Sequence, residues 1–268
     1  MLKILYSFIT NILSYLNINI SKSTKKIEVV NLISSLYPIK TEHKLIRIGS
    51  KGDGGYLLPD DLKNISALFS PGVDQTSEFE RHCLTFGMKI FMADKSVDKP
   101  NLNLDENQYS FIKKFVSCYS SNDFITMDGW VNSTNLDKQS ELMLQMDIEG
   151  SEYECIINMS DSLMARFRII VIEFHNLQDL WSLKFFPIAK AAFNKILKTH
   201  ICIHIHPNNN TGIDSRSGIK IPKTSEFTFL RKDRANEINY QTTFPHNLDS
   251  DNVSGPKLNL PKNWFYSK

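Results

Sequence analysis

The stretch Leu142-Met-Leu-Gln-Met-Asp-Ile-Glu-Gly-Ser-Glu-Tyr-Glu154 decides which fold this chain is expected to adopt. It begins as a short apolar run and stops abruptly at Asp147 and Glu149, which Gly150 follows. The pattern predicts a buried strand of a parallel sheet with two carboxylates at its carboxyl end, where glycine permits the turn. Because ligands bind at the carboxyl ends of strands in open α/β sheets, we expect Asp147 to lie at an active site.

Composition narrows the class of protein. The chain has 268 residues and a formal net charge of +2, and its Lys and Arg residues form no basic block. This charge balance predicts no nucleic-acid partner. Four widely spaced cysteines are interpreted as buried free thiols of a reducing compartment: Cys83, Cys118, Cys155 and Cys202. We therefore expect a cytoplasmic protein, with a position peripheral to the inner face of the membrane as the alternative.

The N-terminal region is set apart from the rest of the chain. Residues 1–40 are interpreted as a helical extension, and residues 41–268 as a single domain that ends in a lid or packing segment. Apolar residues mark one helical stripe within Met1 to Ile20. Three interpretations fit this stripe: a helix that packs on the domain or on a second copy in a homo-oligomer, a helix on a membrane surface, or a disordered leader. The scarcity of Lys and Arg on its polar face weakens the membrane interpretation.

Glycines surround Asp53 in the stretch Arg47-Ile-Gly-Ser-Lys-Gly-Asp-Gly-Gly-Tyr-Leu-Leu58. Such a run predicts a backbone that needs positive φ or approaches another group closely. A hairpin with an Asp-Gly-Gly turn explains the glycines well. It does not require both Arg47 and Asp53, so a role in covering a ligand is the alternative.

One strand–turn–helix unit and the strand after it are expected to form the cofactor half of the sheet. The apolar run Ile65 to Phe69 leads into a turn at Gly72 and a helix that Thr76 or Ser77 opens. Glycine in this turn lets a cofactor approach the backbone closely. Asp94 ends the next strand, 22 positions after Gly72. That separation is typical of an acid that binds a ribose diol.

Polar residues also follow the later strands. Asn122, Asp123 and Asp128 precede a short helix, and they are candidates for the adenine side of a pocket or for ordinary loop and cap positions. Glu173, His175 and Asn176 end the fifth strand in the same way.

In the sixth strand, His204 and His206 share one face, and Asn208 and Asn209 follow them. A lone strand histidine is usually a hydrogen-bonded core residue, but a pair followed by asparagines favours a functional role.

These motifs resemble the FkbM-type methyltransferases of the class I, S-adenosylmethionine-dependent superfamily, which occur in polyketide, capsule and lipopolysaccharide gene contexts. The resemblance rests on the Asp-Ile-Glu-Gly-x-Glu block within Met146 to Glu154, and on four shorter stretches: Ile172-Glu-Phe-His175, His204-Ile-His-Pro-Asn-Asn209, Asp53-Gly-Gly-Tyr56 and Ser77-Glu-Phe-Glu80. It implies an α/β, Rossmann-like fold with a sheet of about seven mostly parallel strands and helices on both faces.

The resemblance also implies roles for individual residues. Gly72 and its neighbours would hold the methionine moiety of S-adenosylmethionine, Asp94 the ribose hydroxyls, and Asp147 would lie beside the sulfonium and the acceptor. The other cofactor-binding candidates are Asp53, Asp74, Glu80 and Asp128. The first loop carries a single glycine, at Gly72, so the choice between Asp74 and Glu80 stays open.

The expected reaction is O-methylation of a sugar hydroxyl in a cell-surface polysaccharide precursor. A hydroxyl is a poor nucleophile, so His175 or His206 is expected to act as the base, and Asp147 or Glu149 to orient it. Binding of the acceptor is assigned to six residues: Arg47, Tyr56, Asn176, His204, Asn208 and Asn209. Activation by a divalent metal such as Mg²⁺ on Asp147 and His175 is one alternative. An N-methyltransferase, or an O-methyltransferase acting on another metabolite, is the other.

Overall fold

The computed structural model describes residues 9, 13, 15, 22–73, 77–100, 108–236 and 238–267. Most of the expected N-terminal helix lies outside these residues, and so do Asp74 and Thr76. In the described part of the chain, no helix is long and apolar enough to cross a membrane. All four cysteines are free, and only Cys118 is partly exposed.

Helices and strands alternate along most of the chain. The α-helices in the described ranges are α1 (Lys26–Ser35), α2 (Glu78–Leu84), α3 (Met127–Asn132), α4 (Glu152–Asn158), α5 (Asp161–Met164) and α6 (Phe186–Thr199). The strands up to the middle of the chain are β1 (Ile39–Lys40), β2 (Leu45–Gly49), β3 (Gly55–Pro59), β4 (Ala67–Pro71), β5 (Lys89–Ala93), β6 (Tyr109–Ile112), β7 (Phe115–Val116) and β8 (Phe124–Ile125). The later strands are β9 (Leu142–Met146), β10 (Phe167–Phe174), β11 (His200–Pro207), β12 (Ile213–Arg216), β13 (Ile219–Pro222), β14 (Ser225–Arg231) and β15 (Asn239–Tyr240).

One seven-stranded sheet forms the centre of the fold, in the order β11-β14-β10-β9-β4-β5-β6. The pairs from β10 to β6 are parallel, whereas β14 is antiparallel to both of its neighbours. Without β14, this order is the doubly wound one of dinucleotide-binding folds. The predicted α/β fold with a mostly parallel sheet is therefore confirmed, and it is consistent with a Rossmann-like arrangement.

The two faces of the sheet are covered differently. On one face, α1, α3, α4 and α6 bury a large aromatic core that includes Trp130, Phe193 and Trp264. On the other face, α2 packs together with the antiparallel hairpin β2–β3, through residues such as Phe79 and Tyr56. The glycine-rich stretch around Asp53 is thus the turn of a hairpin that covers the sheet.

The strand order reverses between β4 and β9, which lie side by side. Such a switch point is where ligands bind in open α/β sheets. Gly72, just after β4, has a φ of +85°, and a Cβ atom added to it would lie 1.5 Å from the carbonyl oxygen of Asp147. The two strand ends are also joined by a hydrogen bond from the Asp147 amide to the Pro71 carbonyl, at 3.2 Å. Only glycine permits this close approach.

Replacing Gly72 by alanine should therefore cost more than replacing Gly87, which also has positive φ but has no atom within 4 Å of an added Cβ. We expect Gly87→Ala to lower the free energy of unfolding by about 1 kcal/mol through backbone strain alone. Gly72→Ala should lower it by at least about 3 kcal/mol, because the β4–β9 junction must also move. Urea unfolding of both variants measures the difference, and equal losses would contradict this account of the switch point.

Candidate functional site

Four titratable residues form a row across neighbouring strands at the carboxyl edge of the sheet. Glu173 on β10 pairs in register with Glu226 on β14, which in turn pairs with His206 on β11. Met146 pairs with Ile172, so Asp147 comes level with Glu173. Glu173, Glu226 and His206 are buried, and Asp147 is half-buried. The strand pairing thus concentrates carboxyl groups where the sequence predicted an active site.

His175 stands among these acids, just beyond the end of β10. Its Nε2 atom lies 3.4 Å from Glu149 Oε2, 3.6 Å from Glu173 Oε1 and 3.9 Å from Asp147 Oδ1. Its Nδ1 atom lies 3.0 Å from Glu152 Oε1. The structure therefore brings three of the predicted catalytic residues together: Asp147, Glu149 and His175.

Glu152 holds His175 in place, and sequence reasoning missed this role. The residue is fully buried in the first turn of α4, and its Oε1 also accepts hydrogen bonds from the amides of Ile148 and Gly150. A carboxylate on Nδ1 fixes the ring orientation and leaves Nε2 directed at the other acids. The last acid of the Asp-Ile-Glu-Gly-x-Glu block was the available signal, but an acid in a first helical turn is commonly explained by the helix dipole.

The two loops beside His175 have unusual backbones. Glu149 has a φ of 55° and Asn176 a φ of 57°, and both are non-glycine residues in the left-handed region. A Cβ atom added to Gly150 would lie 3.0 Å from Asn176 Nδ2, so the loops after β9 and β10 fit closely together. Strained residues of this kind persist where the surroundings enforce them, and they cluster at functional sites.

Burial dominates the protonation of the acids. It raises the pKa of Asp147 to about 7, with His175 opposing the rise. It raises the pKa of Glu226 to about 7, and that of Glu173, with the added repulsion of Asp147 and Glu226, to about 10. Burial lowers the pKa of His175, but the hydrogen bond to Glu152 and the charges of Asp147 and Glu149 outweigh it, so the net shift is upward. These shifts come from groups that crowd one another in a low-dielectric space.

The hairpin β2–β3 forms the lid over the switch point. Tyr56 accepts a hydrogen bond from Gln145 Nε2, and Asp53 accepts one from Asn252 Nδ2. A cavity of about 60 Å³ lies beneath it, beside Gly72 and Asp147. Arg47 instead donates to the carbonyls of Ser50, Gly52 and Leu248 and so holds the turn in shape.

Glu80 lies in the wall of the same cavity. Its carboxyl group is 2.5 Å from Ser70 Oγ, which is also 2.6 Å from Gln145 Oε1. The Ser70 hydroxyl has one hydrogen but two neighbouring acceptors, Glu80 and Gln145. A protonated Glu80 satisfies all three groups, because it donates to Ser70 while Ser70 donates to Gln145. Burial raises the pKa of Glu80, which fits this arrangement.

Two further cofactor candidates are placed apart from each other. Asp94 follows β5 and is buried, and its Oδ1 accepts hydrogen bonds from the amide and hydroxyl of Ser96. It is close to the switch point, because the Gly72 amide donates to the Ala93 carbonyl. Asp128 accepts hydrogen bonds from the amide and hydroxyl of Ser160, at the junction of α4 and α5. Asp128 thus binds the N-cap residue of α5, and among the described residues it has no hydrogen bond to the acid cluster.

The C-terminal segment uses several of the residues assigned to acceptor binding. His204 Nε2 lies 2.8 Å from Asp249 Oδ1, and His206 Nδ1 lies 3.7 Å from the same oxygen. Asn209 exchanges two hydrogen bonds with the backbone of Val253. Asn208 points the other way and donates to Glu173 Oε1.

Three polar residues of this region were missed from the sequence: the buried Glu226 and Asn252 and the half-buried Asp249. Glu226 lies in an alternating strand and the other two in an irregular segment, so no motif marked them.

Comparisons with known proteins leave the family open. No protein-family model matches this chain, and no curated protein matches it. The resemblance to FkbM-type methyltransferases therefore stays a prediction.

A metal ion fits between the two predicted ligands, Asp147 and His175, with Glu149 as a third ligand. Single ligand atoms of Asp147, Glu149 and His175 all lie within 4.8 Å of one another, and Asp147 Oδ1 is buried without a hydrogen-bond partner. Glu152 on Nδ1 of His175 is also the support that a metal-binding histidine normally has.

Removing the Glu152 charge should lower the pKa of His175. Glu152→Gln keeps an oxygen acceptor for the backbone amides, but loses the charge that stabilises the imidazolium ion. We expect the His175 pKa to lie above its ordinary value in the wild type and to fall in the variant, because the hydrogen bond and the charge of Glu152 both raise it. NMR titration of the ring protons measures both values. Glu154→Gln, an exposed change in the same helix, is the control, and an equal effect there would contradict the role of Glu152.

Proposed function

We propose that this chain is an S-adenosylmethionine-dependent methyltransferase of the class I, FkbM-type kind. Its proposed reaction is O-methylation of a sugar hydroxyl in a cell-surface polysaccharide precursor, such as that of a capsule or lipopolysaccharide. One observation carries the proposal: His175, oriented by Glu152, presents Nε2 to Asp147 and Glu149 next to the switch point of a doubly wound sheet.

The residues at the switch point fit the cofactor. Gly72 leaves no side chain at the strand junction, and Asp94 lies beside it through the Gly72–Ala93 hydrogen bond. Both hydrogen bonds that Asp94 accepts in the described structure go to Oδ1, so Oδ2 is available to a ribose diol. S-adenosylmethionine, when bound, would supply a methyl group activated by its positive sulfur, and Asp147, in the wall of the cavity beside Gly72, would offer a carboxyl group to that charge.

The protein's own contribution is to position the acceptor and remove its proton. His175 Nε2 accepts the hydroxyl proton, and the resulting imidazolium ion is stabilised by Glu152 on Nδ1 and by the acids around Nε2. The hairpin β2–β3 covers this edge of the sheet and limits access of water. The geometry favours His175 over His206 as the base, because His206 lies beneath the C-terminal segment against Asp249.

Binding of the cofactor can be tested without knowing the acceptor. Calorimetry should show that wild-type protein binds S-adenosylmethionine and that Asp94→Ala weakens binding about tenfold or more, since a charge-assisted hydrogen bond to the ribose is lost. Asp98→Ala, a fully exposed acid paired with Lys113, is the control. Absence of binding to the wild type would reject the proposed function, whereas an unchanged affinity in Asp94→Ala would reject only the ribose assignment. With labelled cofactor and candidate acceptors, a methylated amine as the product would rule out O-methylation.

A metal-assisted form of the reaction is the second candidate, because Asp147, Glu149 and His175 can converge on one ion. Such an ion would lower the pKa of a bound hydroxyl and take over the task of the base. A nitrogen ligand beside two carboxylates suits Mn²⁺ better than Mg²⁺, which prefers oxygen.

Thermal unfolding tests the metal site independently of activity. If it is real, Mn²⁺ should raise the Tm of the wild type, because binding to the folded state stabilises it, and chelator should reverse the shift. Asp147→Asn should abolish the shift, while Asp98→Asn should keep it. A shift of equal size in all three proteins would indicate adventitious binding, and no shift would leave His175 as the base.

A further inference from the structure

Beyond the methyl-transfer centre, an amide nitrogen is held between two carboxylates. Asn252 Nδ2 lies 2.7 Å from Glu226 Oε1 and 3.2 Å from Asp53 Oδ1. Glu226 and Asn252 are 6% and 8% exposed, so this contact is buried on the sheet side, whereas Asp53 faces solvent. A single N–H donor group shared by two acids is the arrangement in which proteins bind a cationic nitrogen.

Unsatisfied oxygen atoms lie around the same contact. Asn252 Oδ1 and Glu173 Oε2 are buried and have no hydrogen-bond partner, although Glu173 is only 4% exposed. Buried polar atoms in folded proteins are nearly always paired, so each such atom asks for an explanation. Glu173 pairs with Glu226 in the strand register, so the unpaired Oε2 atom of Glu173 is on the strand next to the Glu226–Asn252 contact.

No Lys, Arg or His nitrogen of the described residues forms an ion pair with Glu226 or Asp53, although Arg47 and His206 are close enough to lower the pKa of Glu226. The guanidinium of Arg47 is committed to backbone carbonyls of the hairpin and the C-terminal segment. His206 faces Asp249, and His175 is paired with Glu152. Acids without a matching cation favour a ligand that brings a positive charge.

Neither the cofactor nor a metal accounts for Glu226. The cofactor crevice lies between β4 and β9, and Glu226 lies on β14, two strands beyond β9 and thus about 10 Å away. Within the described residues, the one acid and histidine group whose ligand atoms converge within 4.8 Å is that of Asp147, Glu149 and His175. Glu226 and Asp53 are not part of that group, so an organic cation fits them better than a metal ion.

We infer that the acceptor carries a protonated amino group, which binds between Glu226 and Asp53 in the place that the Asn252 amide nitrogen occupies in this structure. An ammonium group has three N–H donors and no acceptor, which leaves one donor for the unpaired oxygen of Glu173, the residue that pairs with Glu226 in the strand register. This inference rests on the proposed function and names the substrate class, an amino sugar with a free amine. A neighbouring cavity of about 290 Å³, lined by His206, Asp249 and Lys257, has room for the next unit of a glycan.

The inference also explains why oxygen would be methylated in a molecule that contains an amine. An amine held as ammonium by carboxylates has no free electron pair and cannot attack the methyl group. The hydroxyl beside His175, in contrast, loses its proton to Nε2 as it reacts. The acids of β10 and β14 would thus protect the nitrogen and direct methylation to oxygen.

Ligand-detected NMR titration with D-glucosamine, D-glucose and N-acetyl-D-glucosamine tests the inference, because the three probes share a ring and differ in charge. The wild type should bind glucosamine at least about tenfold more tightly than either neutral sugar, as a charged hydrogen bond requires. Glu226→Gln should remove this preference, while its affinity for S-adenosylmethionine stays unchanged. Its Tm should not fall, because glutamine keeps the contact with Asn252 and removes repulsion. Glu154→Gln is the matched control and should keep the preference.

Asn252→Ala gives the opposite prediction, since the alanine no longer competes for the two acids. The preference for glucosamine should persist or increase in that variant. Equal binding of the three probes to the wild type, including no binding, would overturn the inference, and so would a preference that survives Glu226→Gln. These results are independent of cofactor binding: failure of the wild type to bind S-adenosylmethionine would reject the proposed function, whereas the amine preference is measured without the cofactor.

Discussion

The carboxylate of Glu152 accepts from three donors at once: the amides of Ile148 and Gly150 and the Nδ1 atom of His175. It thereby joins the turn after β9 to the end of β10, two strands that come together only in the folded sheet. The left-handed backbones of Glu149 and Asn176 flank this contact, and their strain is held in place by it. All three donors contact Oε1, and Oε2 is buried without a hydrogen-bond partner. A buried acid that lost the three donors would be costly, so the geometry of the site depends on them.

The other acids at the carboxyl edge of the sheet have fewer stabilising partners than Glu152. This difference distinguishes acids with a structural role from candidates for a functional role. Glu141, at the opposite end of β9, is matched by Arg168 and Arg231 and needs no ligand. Asp147, Glu173 and Glu226 have no such cations and retain raised pKa values. Carboxyl groups whose pKa values are raised by burial and by one another, at the carboxyl edge of an α/β sheet, mark a candidate functional site.

Strand β14 has a specific part in this arrangement. Running against its neighbours, it inserts Glu226 between Glu173 and His206, although about 50 residues separate it from the former in the chain. The C-terminal segment then closes the row through Asp249 and Asn252. The segment was expected to be a lid or a packing element, and the structure shows it bonded to the hairpin and to strands β11 and β14.

The sequence by itself determined the alternation of strands and helices, the buried strand Leu142–Met146 and the presence of acids at strand ends, because periodicity and glycine placement are local signals. It also predicted Asp147, Glu149 and His175 as candidate site residues, since they lie where apolar runs stop. Only the tertiary structure decided that Glu152 orients His175, that Asp128 binds Ser160, and that Glu226 lies beside Glu173 at the edge of the sheet. These facts depend on which strands are neighbours and on what covers them. Such pairings bring together residues far apart in the chain, and no local pattern of side chains records them.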